Sequence, residues 1–135
     1  MNHLNANRVK IPMKNQLLAL LCSSLFSLPA LAHGTLEAAH GGVIVEGKAI
    51  TAELVAKPEN LDVYLSNHGE PMDAQGAGGE VLLLSGGKKA VVKLAPAEGN
   101  RLSGSGDYQL APGAKAIVKL SVPGAADEQL RFSLP

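Results

Sequence analysis

The sequence predicts an all-β domain over residues 43–135: a single antiparallel β-sandwich of Greek-key, immunoglobulin-like type. Three observations carry this. Short apolar runs recur with turn signals about every eight to twelve residues. Several of these runs alternate apolar and polar residues with period two. Glycine or proline interrupts nearly every window long enough for a helix of ordinary length.

The elements follow in chain order. Val43-Ile44-Val45 and the run from Ala49 to Ala56 flank Glu46-Gly47-Lys48, a glycine-bearing turn of the kind that joins hairpin strands. Lys57-Pro58-Glu59-Asn60 is the turn into Leu61-Asp62-Val63-Tyr64-Leu65-Ser66, whose alternation places Leu61, Val63 and Leu65 on one face. Glu80 to Leu84 and Lys88 to Leu94 flank Ser85-Gly86-Gly87, the clearest hairpin in the chain. Ala114 to Val122 and Gln129 to Leu134 pair in the same way across Pro123-Gly124-Ala125-Ala126, with Ile117 and Val118 as core candidates. Two connections are less regular, Asn67 to Gly79 and Ala95 to Ala114. Binding groups sit readily on such loops because a rigid scaffold holds them.

Ahead of the domain lies a segment with the three parts of a secretory leader. A basic start with Arg8, Lys10 and Lys14 precedes an apolar run from Leu17 to Leu28, and Ala30-Leu31-Ala32 supplies the small-residue cleavage pattern. The expectation is a signal peptide over residues 1–32, with Met13 as an alternative start, cleavage after Ala32, and a mature N-terminal segment over residues 33–42. The apolar run is shorter than the ~20 residues a membrane span needs. The expected location is the periplasm, with no membrane insertion after cleavage. The single cysteine, Cys22, falls within the leader, which leaves the mature chain without a thiol for disulfides, zinc or nucleophilic catalysis.

After residue 32 nine basic residues stand against twelve acidic ones, a net charge of −3 with neutral histidines. The charges are scattered singly along the chain, so the sequence offers no basic footprint for nucleic acid or anionic lipid. Tyr64, Tyr108 and Phe132 are the only aromatic residues after the leader, too few for a groove that stacks sugars or bases. Enzyme motifs are missing as well. Ser103-Gly104-Ser105-Gly106 lacks the leading glycine of a nucleophile elbow, and Ser85-Gly86-Gly87-Lys88-Lys89 has neither the spacing nor the following helix of a phosphate loop. The sequence therefore points to a binding protein and not to an enzyme.

Its candidate ligands are His33, His40, His68 and Met72. As the mature terminus, His33 chelates through its α-amine and ring nitrogen, a mode suited to Cu(II). His40, before Gly41-Gly42, and His68, in His68-Gly69-Glu70-Pro71-Met72, add neutral imidazoles, and the Met72 thioether suits Cu(I). Each residue also has a plainer role open to it. His33 would merely follow a cleavage site, His40 and His68 would be turn residues, and Met72 would be an apolar plug where a loop re-enters the core. Tyr64 reads most simply as a half-buried β-former.

Four short motifs carry a resemblance. They are His40-Gly41-Gly42, Glu53-Leu54-Val55, Val63-Tyr64-Leu65 running into His68-Gly69-Glu70-Pro71, and Leu84-Ser85-Gly86-Gly87. Through them the chain from His40 to Phe132 resembles small periplasmic β-domain proteins associated with bacterial heavy-metal resistance, and the N-terminal β-region of heavy-metal efflux periplasmic adaptors. Those proteins often read Asp-His where this chain reads Asn67-His68. The resemblance implies periplasmic handling of a transition-metal ion, copper or a zinc-like divalent ion, with His40 and His68 as ligands. The protein would be a buffer or a hand-over partner to efflux pump components. The alternative is a non-metal interaction domain that docks on an envelope complex through an edge strand.

Overall fold

The computed structural model describes residues 36–135. The leader read at residues 1–32, with Cys22, lies outside them, and so does His33. Nine strands build the described unit: β1 (Val43–Glu46), β2 (Thr51–Ala56), β3 (Leu61–Asn67), β4 (Glu70–Pro71), β5 (Gly78–Ser85), β6 (Lys88–Pro96), β7 (Arg101–Gly104), β8 (Lys115–Ser121) and β9 (Glu128–Ser133). Every pairing is antiparallel. Among the described residues no helix is long and apolar enough to cross a membrane.

The strands follow one hydrogen-bonded path, β1-β2-β3-β7-β6-β5-β8-β9, with β4 paired to β3 beside it. Two connections leave the order of the chain: β3 hands over through β4 to β5, with β7 and β6 lying between them, and β7 crosses back to β8. Strand β6 joins the halves by changing partner, its residues up to Leu94 facing β5 while Ala95 and Pro96 face β7. At the ends of the path β1 lies against β9, so the sheet nearly closes into a barrel. A side-chain bond accompanies this contact, the backbone N–H of Ala49 donating to Glu128 Oε1 at 2.6 Å.

Period-two alternation decides what fills the interior. Leu61, Val63 and Leu65 of β3 all point inward and are fully buried, as their spacing predicts, and Ala52 and Leu54 of β2 meet them there. Val81 and Leu83 of β5, Val118 and Leu120 of β8 and Phe132 of β9 enter from the other half. Side chains of this size contribute about 1.5–3 kcal/mol each on full burial. That is the main source of stability open to the described residues, which contain no cysteine. Ile117, a core candidate by composition, alternates the other way and is only half-buried, because the neighbours Ala116 and Val118 take the inward positions.

Local chemistry sets the turns. Gly86 and Gly87 take φ of 57° and 75°, the left-handed pair a two-residue hairpin turn requires. The β3–β4 turn uses the same conformations at His68 (φ 49°) and Gly69 (φ 87°). His68 is the only non-glycine residue among those described with positive φ.

Candidate metal centre

The centre forms on the outer face of β2 and β3. Ala52 and Leu54 point inward, so Glu53 points out, and the register sets it directly beside Tyr64. An acid in that position would ordinarily be solvated. Here residues 39–42 cross above it, and Glu53 is only 4% exposed. The crossing depends on close approach at Gly42, where a Cβ would stand 2.4 Å from the Leu54 carbonyl oxygen. Any side chain there would force the segment away from β2.

Four donors converge on the Glu53 carboxylate. The backbone N–H groups of His40 and Gly42 donate to Oε1 at 2.8 and 2.9 Å, and that of Ala39 donates to Oε2 at 3.1 Å. The fourth is the His40 ring, whose Nδ1 lies 2.9 Å from Oε2. An ionised carboxylate only accepts, so Nδ1 carries the proton of this bond. Burial by itself would push the Glu53 carboxyl up. The hydrogen bond from the His40 ring, the backbone N–H groups of Gly42 and His40 and the charge of a protonated imidazole outweigh it, and the carboxyl lies below its ordinary value.

The second hold on the ring is Tyr64. The imidazole and the phenol stack at 3.5 Å between centroids and 4° between planes. Orientation is thus fixed by a hydrogen bond in the ring plane and by an aromatic surface beneath it. In the neutral imidazole, with its proton on Nδ1, Nε2 at the far side of the ring keeps its lone pair. The His40 side chain remains 41% exposed.

Asp62, two residues before Tyr64 on the same face, is a second enclosed carboxylate. Oδ1 accepts from Ser103 Oγ at 2.7 Å and Asn60 Nδ2 at 2.9 Å, while Arg101 and Lys57 stand 3.6 and 3.5 Å away. Burial raises its pKa, and the bonds from Ser103 and Asn60, with the charges of Arg101 and Lys57, bring it below the ordinary value. All its neighbours are donors or cations already. It serves as an anchor for the turn before β3.

Of the residues expected as ligands, His33 lies outside the described residues. His40 is held as above. His68 is exposed at the tip of the β3–β4 turn, four residues beyond Tyr64, or about 13 Å at the strand rise of ~3.3 Å per residue. Met72 donates its backbone N–H to the Leu65 carbonyl at 3.0 Å and packs half-buried against the core. The structure therefore joins His40 to Glu53 and Tyr64, and sets His68 and Met72 at the far end of β3. Among the described residues no three His, Asp or Glu side chains stand together as a ligand set. The part played by Glu53 escaped the sequence reading. Its signals in the sequence are an acid inside the apolar run Thr51 to Ala56 and its place in the Glu53-Leu54-Val55 motif. No family model, curated protein or solved structure matches the chain at a significant level.

Proposed function

We propose that the protein binds a transition-metal ion, copper or a zinc-like divalent ion, through Nε2 of His40. In this reading it serves in the periplasm as a buffer or hand-over partner in metal resistance. The observation that carries this is the 2.9 Å bond from His40 Nδ1 to a buried carboxylate. Metal-ligating histidines commonly give their second ring N–H to a carboxylate, which fixes the tautomer and makes the free nitrogen more basic. One oriented imidazole is one ligand. The remainder would come from His33 and its α-amine, seven residues earlier, or from the protein that receives the ion; His68 and Met72 would make a separate, weaker contact. The Greek-key sandwich reading of the fold belongs with this proposal and is supported by the two crossover connections.

The test is isothermal titration of protein beginning at His33 with Cu(II), Zn(II), Co(II) and Ni(II). His40→Ala is expected to abolish the tighter binding event. Loss of an outer carboxylate commonly costs metal affinity about 10–100-fold, and Glu53→Gln is expected to fall in that range. Imidazole must be neutral to coordinate, so protons compete with the metal and affinity should also drop on acidification. Unchanged titration of His40→Ala would remove the proposal.

A further inference from the structure

The charges that look scattered along the chain are gathered in space. Outward positions of β6, β5, β8 and β9 form three rows across the sheet. One row runs Lys89, Leu84, Lys115, and another runs Lys93, Glu80, Lys119. Between them lies Val91, Leu82, Ile117, ending at Arg131. The face thus carries five basic residues and one acid around an apolar middle, and Lys119 pairs with that acid at 3.4 Å. The other four basic residues of the described unit stand against eleven acids. Val91, at one end of the apolar row, is 57% exposed, and Leu84, between Lys89 and Lys115, is 41% exposed, large values for aliphatic side chains in strands.

We propose that this face docks on an anionic phospholipid surface. Its chemistry favours a bilayer over other polyanions. Lysine is a compact charge on a flexible apolar stem, suited to a diffuse layer of headgroups, whereas reading a fixed phosphate pattern favours arginine forks. The face lacks the aromatic residues on which bases stack. Aliphatic side chains raised between the lysines add apolar contact at the headgroup boundary, which a nucleic acid backbone would not reward. The acidic remainder of the unit orients the protein, turning this face to the membrane and the opposite one, with His40, away from it.

Vesicle co-sedimentation of the protein beginning at His33, which keeps every strand and the whole described core, tests this. Binding is expected to vesicles of equal parts phosphatidylglycerol and phosphatidylcholine but not to phosphatidylcholine alone, and to be reversed by high salt. Each lysine near an anionic surface is worth about a fivefold change in partitioning, so Lys89→Gln/Lys115→Gln should weaken it roughly thirtyfold. Val91→Ser should weaken it further. Asn67→Asp/Gln75→Glu makes the same change in net charge at exposed positions of the β3–β5 connection and should leave binding unaltered; circular dichroism checks that each variant is folded. Equal binding to neutral vesicles, or equal loss in Asn67→Asp/Gln75→Glu, would overturn the proposal. So would absence of vesicle binding together with retention on a polyglutamate resin, which would assign the face to an acidic protein.

Discussion

Glu53→Ala is expected to destabilise the domain by about 2–3 kcal/mol and to lower its melting temperature by roughly 10–20 °C. The carboxylate holds three backbone N–H groups and the His40 ring, so its loss unties residues 39–42 from β2 and removes the in-plane restraint on the imidazole. The cost stays below that of breaking a wholly buried ion pair, because the released N–H groups and the half-exposed ring regain water. Thermal melts measure the loss. Hydrogen exchange at the Ala39, His40 and Gly42 amides should quicken in the same variant, and wild-type melting temperature and exchange rates would refute the account. The pH dependence has a definite sign. A carboxyl whose folded pKa lies below its ordinary value, 4.5 for Glu53, contributes stability that is complete above that value and is lost as pH falls through the lower folded one. The wild type should therefore lose stability on acidification below about pH 4.5, and Glu53→Ala should lose less.

Asp62→Ala is expected to cost more, about 3–4 kcal/mol, since its carboxylate is completely buried and its partners have fewer ways out. Removing it leaves the Ser103 hydroxyl without its acceptor, the Asn60 amide with only its long 3.4 Å bond to Ser103 Oγ, and Arg101 without a counter-charge. Asp62→Asn keeps an acceptor for Ser103 but turns an amide toward Lys57, and should fall between the wild type and alanine. Ser103→Ala deletes one hydrogen bond and should cost about 1 kcal/mol. Urea unfolding ranks the three, and a ranking with Ser103→Ala as the most damaging would show that the network is organised around another group.

Where the sequence was legible, the physics was local. Leu61, Val63 and Leu65 alternate on their own strand, and Gly86-Gly87 supplies the two left-handed residues its hairpin needs, so both can be read from neighbours in the chain. Strand β7 could not be read that way. Arg101–Gly104 has one apolar residue, Leu102, among turn formers, and becomes a strand only because β3 and β6 offer it partners on either side. The short strand β4 also hides in a connection that reads as loop. The centre divides similarly. His40 was visible beside its glycines, but Glu53 is thirteen residues away and is buried by a segment whose path the sequence does not disclose. His68 shows the converse: composition pointed to its place in a turn, while its separation from His40 follows from the length of β3. The basic face was invisible for another reason. Its lysines come from two strands that never meet, and become neighbours only through β5, which runs between them.

The contact of β1 with β9 also governs when the domain can form. Ala49 and Glu128, which bond at this closure, are separated by 79 residues, so the seam is made by the first and last strands of the described residues. Non-local pairings of this kind require a long loop to be closed before any contact rewards it, and folding slows accordingly. A chain that emerges N-terminus first from a ribosome cannot seal this seam until β9 is free. The nascent domain would stay open until then, with β1 waiting on a strand made 79 residues later.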